Sequence, residues 1–176
     1  MKYAGIGSRR TPFDTLLFME RLGQTLALQG HILRSGGASG ADTAFERGCD
    51  NAGGAKEIFL PWPGFNGRKT SCRIPDNAFA MAREFHPAWD RCSQAAQKLH
   101  ARNCQQILGA KLDDPSDFVV CWSPGSGGTE QALRIARAKN IPVFNLINDS
   151  AADDLFAWLS SAKTEAEEQP VEFSPS

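Results

Sequence analysis

The stretch Lys2-Tyr3-Ala4-Gly5-Ile6-Gly7-Ser8-Arg9 opens the chain with a short apolar run that ends in a glycine turn. Apolar runs also precede Ser35-Gly36-Gly37-Ala38-Ser39-Gly40-Ala41-Asp42 and Pro124-Gly125-Ser126-Gly127-Gly128-Thr129-Glu130. Helix-like patterns follow all three turns. Glycine permits sharp turns and close approach to backbone amides, and a helix start carries unpaired N–H groups with partial positive charge. The three turns together therefore predict a cradle for a phosphate group.

Apolar spacing between these turns predicts an alternation of strands and helices. Strands are predicted at residues 2–7, 31–34, 56–60, 117–122 and 141–147. Helices are predicted at 13–29, from 41 to 48, and at 88–108, 129–139 and 153–161, whereas 61–85 is predicted to be irregular. This order predicts one α/β domain of Rossmann-like type, with a parallel sheet flanked by helices. Ligands of such sheets bind beyond the carboxyl ends of the strands, where all three glycine turns are expected.

Length and composition favour one globular domain at residues 1–162, followed by a disordered acidic tail at 163–176. The chain has 176 residues, of which 41% are hydrophobic and 22% charged, and its net charge is −1. The tail contains one lysine and four glutamates, so the remainder carries 18 basic and 16 acidic side chains. That excess is smaller than in dedicated nucleic-acid-binding proteins. No apolar run approaches the roughly 20 residues of a membrane helix, and no signal peptide is evident. We therefore expect a cytoplasmic protein.

The five cysteines are odd in number and widely scattered, and no CxxC pair occurs. This pattern predicts reduced thiols rather than a disulfide framework or a zinc site. We accordingly expect neither a metal nor a cofactor.

Three motifs resemble those of the SLOG superfamily of Rossmann-like proteins, over residues 2–148. The segment Arg34-Ser35-Gly36-Gly37-Ala38-Ser39-Gly40-Ala41-Asp42 resembles the glycine turn of the superfamily, and Pro124-Gly125-Ser126-Gly127-Gly128-Thr129 resembles its PGGxGT loop. Leu99-His100-Ala101-Arg102-Asn103 is similar to the MHxRK motif of Lonely Guy phosphoribohydrolases. The superfamily also includes DNA-processing protein A and nucleotide-sensing domains of bacterial immunity. The resemblance implies a nucleotide ligand and a homo-oligomer.

The phosphoribohydrolase pattern has a catalytic glutamate three residues after the loop threonine, where this chain has Ala132. Glu130 is one residue after the threonine and points in another direction on a helix. We therefore expect a binder that senses or sequesters a nucleotide-derived signal, such as an ADP-ribose-like or cyclic nucleotide. One alternative is a nucleoside 5′-monophosphate phosphoribohydrolase, and another is a DNA-binding module of recombination.

Candidate ligand-binding residues lie in the glycine turns, after the third strand and on the helix before the fourth. They are Gly7, Ser8, Arg9, Ser35, Gly36, Gly37, Ser39, Gly40, Asp42, Trp62, Asn66, Arg102, Gly125, Gly127, Gly128 and Thr129. The catalytic candidates are Arg102 and Glu130. Asp42 could hold a ribose hydroxyl, orient water or serve a helix start, and Trp62 could stack a base or anchor its segment. Arg102 could hold a phosphate or ribose, or form a salt bridge on the helix surface.

Overall fold

The computed structural model describes residues 1–69 and 73–168. Strands and helices alternate along these two ranges, except that two helices lie between the third and fourth strands. Two short 3₁₀ turns, Phe65–Gly67 and Trp89–Arg91, lie in the connections. The strands are β1 (Lys2–Gly7), β2 (Ile32–Ser35), β3 (Lys56–Ile58), β4 (Phe118–Trp122) and β5 (Val143–Asn145). The helices are α1 (Phe13–Leu28), α2 (Ala41–Asn51), α3 (Asp76–Glu84), α4 (Gln94–Leu108), α5 (Gly128–Ala138) and α6 (Ala151–Glu168).

The five strands form one parallel sheet in the order β3-β2-β1-β4-β5. In this register Tyr3 of β1 lies between Leu33 of β2 and Phe118 of β4. The predicted α/β class and parallel sheet are thus confirmed. The strand order reverses between β1 and β4, which creates the crevice where ligands of open α/β sheets bind.

Each face of the sheet is covered by three helices. Side chains of β1 alternate between the faces, so Tyr3 packs with α1, α2 and α6 while Ala4 and Ile6 pack with α3, α4 and α5. Phe45 and Phe118 are fully buried on the Tyr3 side. Within the described ranges, no helix combines the length and apolar character needed to cross a membrane.

The segment 61–85 is less irregular than predicted, because it contains α3. Pro75 precedes this helix, Asp76 lies in its first turn, and the buried Ala78 and Ala82 are four residues apart. That spacing is the signal of a short amphipathic helix. The predicted helix at 88–108 also starts later, at α4, where the Ser93 hydroxyl accepts a hydrogen bond of 3.2 Å from the Ala96 amide.

Helix α6 continues to Glu168, beyond residue 162 where the tail was predicted to begin. Residues 169–176 lie outside the described residues. The division into a domain and a disordered tail therefore stays a prediction.

Candidate functional site

A cavity of about 480 Å³ lies beyond the carboxyl ends of the strands, at the reversal between β1 and β4. Its wall combines the end of β1, the start of α2, one face of α4 and the start of α5. Of the predicted ligand-binding residues, it brings together Gly7, Ser8, Arg9, Asp42, Arg102, Gly127, Gly128 and Thr129.

A second cavity of about 480 Å³ adjoins the first, and Arg9 and Leu99 belong to both walls. The predicted residues Ser39, Trp62 and Asn66 lie here instead. Trp62 and its wall neighbour Phe65 pack edge to face, with ring centroids 5.2 Å apart and an interplanar angle of 86°. The two cavities are therefore neighbours, together called the track below, and the second has an aromatic wall.

Arg102 is buried rather than on the helix surface, being only 4% exposed. Its Nη1 donates to the Gly36 carbonyl oxygen, lies 3.4 Å from that of Phe59, and is 3.6 Å from Oδ2 of Asp42. A Cβ atom at Gly36 would lie 1.5 Å from this Nη1. Gly36 is therefore needed to make room for Arg102, and the predicted surface salt bridge is instead a buried ion pair.

Asp42 is almost completely buried, and burial raises its pKa to about 6. The Arg102 guanidinium and a 3.3 Å hydrogen bond from the Ala38 amide oppose this rise, while the charge of Glu46 adds to it. Glu46 itself is paired with Arg68. At neutral pH, Asp42 is mostly ionised and balances the charge of Arg102.

Two donors at the first cavity lack partners. Nε of Arg102 and Nε2 of Gln106 are buried and form no hydrogen bond with any described residue. Both residues belong to the cavity wall. Buried donors are nearly always paired in folded proteins, so these two groups leave unsatisfied hydrogen-bonding capacity behind the cavity wall.

Helix α5 presents an uncapped N-terminus to the same cavity. Its N-cap is Gly127, so no side chain occupies the capping position. The Asn103 amide nitrogen donates to the Gly128 carbonyl oxygen at 3.1 Å and to Oε1 of Gln131 at 3.3 Å, which holds this turn against α4. Unpaired first-turn amides of this kind bind anions.

Several predicted residues have structural contacts outside the cavity walls. The Ser35 hydroxyl donates to the Gly5 carbonyl oxygen at 2.8 Å in the core. Gly37 and Gly40 have positive φ angles of 65° and 91°, and Gly37 lies against Leu60 and Arg68. Within the second cavity, Asn66 donates to the Gly37 carbonyl oxygen at 2.7 Å, so it also holds its own loop in place.

The proposed catalytic Glu130 is not part of either cavity wall. Its carboxylate pairs with Arg137 at 2.6 Å and accepts a 3.4 Å hydrogen bond from the Ser123 hydroxyl. Gly125 also lies outside both walls, whereas Ala132 lies in the first. Asp42 is thus the carboxylate that the described chain places at this cavity.

The candidate list omitted other wall residues, including Arg10, Gln106 and three members of the motif around Arg102, namely Leu99, His100 and Asn103. Four of these lie on α4. The residue pairs 99 and 103, and 102 and 106, are each four positions apart and share a helix face. That spacing could have identified them once Arg102 was a candidate.

These features define a Rossmann-like α/β protein with a cationic cavity at the reversal of its strand order. The chain is similar in structure to DNA processing protein A from Helicobacter pylori, which has a described single-stranded DNA binding mode. The TM-score is 0.55 and the sequence identity 22%, and the match covers 82% of this chain and 64% of that one. This chain thus spans less than two thirds of its structural neighbour. No protein-family model matches the sequence, and no curated protein does. The likeness supports the Rossmann-like fold, and the wider SLOG assignment stays a prediction.

Proposed function

We propose that this protein binds single-stranded DNA along the track formed by the two adjoining cavities. The observation that carries this proposal is their junction at Arg9. On one side of that junction, the cavity wall contains groups that can donate hydrogen bonds to a phosphate. On the other side, an aromatic pair lines the second cavity. Proteins that bind single strands combine these two elements, a cationic groove for the backbone and aromatic rings for the bases.

The phosphate side of the track has exposed charge available. Arg9 and Arg10 are exposed and form no ion pair with a described residue. Arginine matches phosphate geometry, and the first turn of α5 adds backbone donors. The near-neutral charge of the whole chain argued against DNA, but the local charge at the cavity is positive. Among the described residues, three arginines and one carboxylate, that of Asp42, line it.

The base side of the track is formed by Trp62, which is only partly buried. Stacking requires an unstacked base whose flat face is accessible, as in a single strand and not in a duplex. The fold shared with a protein that binds single-stranded DNA agrees with this assignment.

Fluorescence anisotropy with a labelled oligothymidylate, measured across a salt series, tests the proposal. The association constant falls as salt rises. The slope of its logarithm against log salt should become less negative by about 0.7 for each phosphate contact removed by Arg9→Ala or Arg10→Ala. Arg21→Ala on α1 is the matched control, because Arg21 is exposed and lies in neither wall. Absence of binding at low salt, or an equal loss in the control, would contradict the proposal.

A variant pair at Trp62 tests the stacking side separately. Trp62→Ala should weaken binding by about 1–3 kcal/mol if one base stacks there. Trp62→Phe keeps an aromatic face and should recover part of that loss. Equal affinities for the Ala and Phe variants would remove Trp62 from the site.

A phosphorylated nucleotide is the second candidate ligand, favoured by the concave shape of the first cavity and by the uncapped start of α5 in its wall. Competition by AMP and ADP-ribose against the labelled oligonucleotide distinguishes the two ligands. Displacement at micromolar nucleotide would favour the nucleotide. If AMP binds, chromatography of the incubated mixture shows whether free adenine is released. We expect none, because the first cavity has Ala132 where the hydrolase resemblance requires glutamate.

A further inference from the structure

We propose that His86, Cys92 and His100 form a binding site for a divalent transition-metal ion of the Zn²⁺ type. His86 follows α3, Cys92 follows the 3₁₀ turn Trp89–Arg91, and His100 lies on α4. One ligand atom from each residue lies within 4.8 Å of the other two. Imidazole and thiolate are the donors that zinc sites use.

The distances are close to those of a coordination sphere. Sγ of Cys92 is 3.7 Å from Nδ1 and 3.8 Å from Nε2 of His86, and the two imidazole centroids are 4.3 Å apart. With zinc bond lengths of about 2.0 Å to nitrogen and 2.3 Å to sulfur, tetrahedral ligand atoms are roughly 3.3–3.5 Å from one another. Small rotations of these side chains would therefore close the cluster around one ion.

One ring nitrogen of His100 is available to a metal. Nδ1 of His100 is buried and has no hydrogen-bond partner among the described residues. Because buried polar atoms are nearly always paired in folded proteins, a metal ion at this nitrogen would satisfy it.

Metal binding would change one hydrogen bond and one charge at this site. Nδ1 of His86 accepts a 3.2 Å hydrogen bond from the Ala88 amide, which a metal bound at that nitrogen would displace. On binding, the Cys92 thiol would lose its proton to solvent, and the thiolate would offset one metal charge. This offset matters because Arg134, which donates to the Phe85 carbonyl oxygen at 3.0 Å, adds positive charge nearby.

A metal here would link the end of α3 to α4 and lie at the edge of the first cavity, whose wall includes His100. Three protein ligands leave a fourth position for water or a bound molecule. The site does not depend on the proposed DNA binding, because its occupancy can be measured with the metal alone.

Titration of the metal-free full chain with Co²⁺ tests the site, since a thiolate ligand produces a charge-transfer band that water and histidine do not. We expect one Co²⁺ per chain with this band, displacement of Co²⁺ by Zn²⁺, and a higher melting temperature with Zn²⁺. Cys92→Ser should abolish the band, and His86→Ala should weaken binding by more than about tenfold.

Cys49→Ser is the matched control, because Cys49 is buried in the helical layer on the opposite face of the sheet. It should bind Co²⁺ as the unaltered chain does. His86 lies outside the buried core, so His86→Ala should keep the fold. It therefore still tests the site if one of the cysteine variants unfolds. A band that persists in Cys92→Ser, one metal per two chains, or no thiolate band at all would overturn the proposal.

Discussion

At the scale of single residues, the buried pair of Arg102 and Asp42 is the central feature of the first cavity. Moving two charges out of water is costly, and their attraction recovers that cost only if further hydrogen bonds satisfy the remaining atoms. The carbonyl oxygens of Gly36 and Phe59 accept hydrogen bonds from Arg102, and the Ala38 amide donates one to Asp42. Arg102 therefore has a structural role beside any contact with a ligand.

We expect Arg102→Met to lower the free energy of unfolding by about 3 kcal/mol, because it leaves Asp42 buried without its counter-charge. Adding Asp42→Asn should recover at least about 1 kcal/mol of this loss in unfolding free energy, because the effects of substitutions at two contacting residues are not additive. Urea denaturation of the two single variants and the double variant gives this coupling. Arg21→Met is the control and should change stability by less than about 0.5 kcal/mol. Additive effects would show that the pair contributes no interaction energy.

The raised pKa of Asp42 predicts a pH dependence of binding. Because the pKa is higher in the folded protein than its ordinary value, the folded state holds this proton more tightly. The stabilising contribution of this group is complete below about pH 4 and is lost as pH rises through about 6. Protonation also leaves the charge of Arg102 unbalanced. Oligonucleotide affinity should therefore increase as pH falls from 7.5 to 5.5.

In Asp42→Asn, this increase should disappear and binding at pH 7.5 should already be tight. The pKa values of all three histidines are lowered, so their protonation contributes less to any change of affinity between pH 7.5 and 5.5. Anisotropy measured at constant ionic strength checks the prediction, and an unchanged pH profile in the variant would refute it.

At the scale of elements, glycines in the turns serve different purposes. Gly36 provides the space that Arg102 fills, and a Cβ atom at Gly7 would lie 2.6 Å from that of Ala41, so β1 and α2 pack closely there. By contrast, a Cβ atom at Gly128 would meet only Asn103 and His100, both at 3.9 Å. Gly128 is therefore the position at which the cavity can be altered without disturbing the core.

Gly128→Val should keep the fold and weaken oligonucleotide binding by about tenfold or more, because its side chain occupies space beside the first-turn amides of α5. Gly36→Ala should instead lower the melting temperature, because its Cβ collides with Arg102. Thermal melts followed by anisotropy separate the two effects. Ala138→Val, exposed at the far end of α5, is the control, and an equal loss of binding there would contradict the prediction.

At the scale of the whole molecule, a charge network joins three strands and the connection before β4. Arg34, only 1% exposed, donates to Oε2 of Glu57 at 2.7 Å and to Oδ2 of Asp114 at 2.5 Å. Nζ of Lys2 also lies 2.5 Å from the Asp114 carboxylate. Hydrogen bonds from Lys2 and Arg34 lower the pKa of Asp114.

Asp114→Asn should lower the melting temperature at pH 7. A lowered pKa in the folded state means that the stabilising contribution is present above about pH 4 and is lost as pH falls below it. The difference from the unaltered chain should therefore shrink in acid. Asp113→Asn is the neighbouring control, since Asp113 is exposed and forms no ion pair with a described residue. If the difference in melting temperature between Asp114→Asn and the unaltered chain stays constant down to pH 3, the charge network is not its cause.

The homo-oligomer that the family resemblance implies is also a property of the whole molecule. Helix α1 exposes Phe13 and Leu17, four residues apart on one face, with 72% and 39% of their surfaces accessible. Native mass spectrometry should show more than one chain per particle, and Phe13→Ser should favour the monomer. Ile147→Ser, at another exposed apolar residue, should not. A monomer for the unaltered chain would exclude the prediction.

The sequence by itself determined the order of the five strands and of every helix except α3, the parallel sheet and the edge at which the cavity lies. Those properties follow from the spacing of apolar residues and from glycines at strand ends. Both are local patterns that can be read within short stretches of the sequence. It also identified Arg9, Asp42, Arg102 and the turn before α5 as parts of one site. Helix α3 was not predicted, although its buried Ala78 and Ala82 are four residues apart, as in an amphipathic helix.

Only the tertiary structure decided what the side chains do. Gly36 accommodates a guanidinium 66 residues away, Glu130 turns to Arg137 instead of the cavity, and His86 meets His100 across the connection between α3 and α4. Local sequence encodes which residues are buried. It does not encode which distant groups share that burial, because such contacts depend on how helices pack onto the sheet and on the cost of leaving a buried charge or donor unpaired.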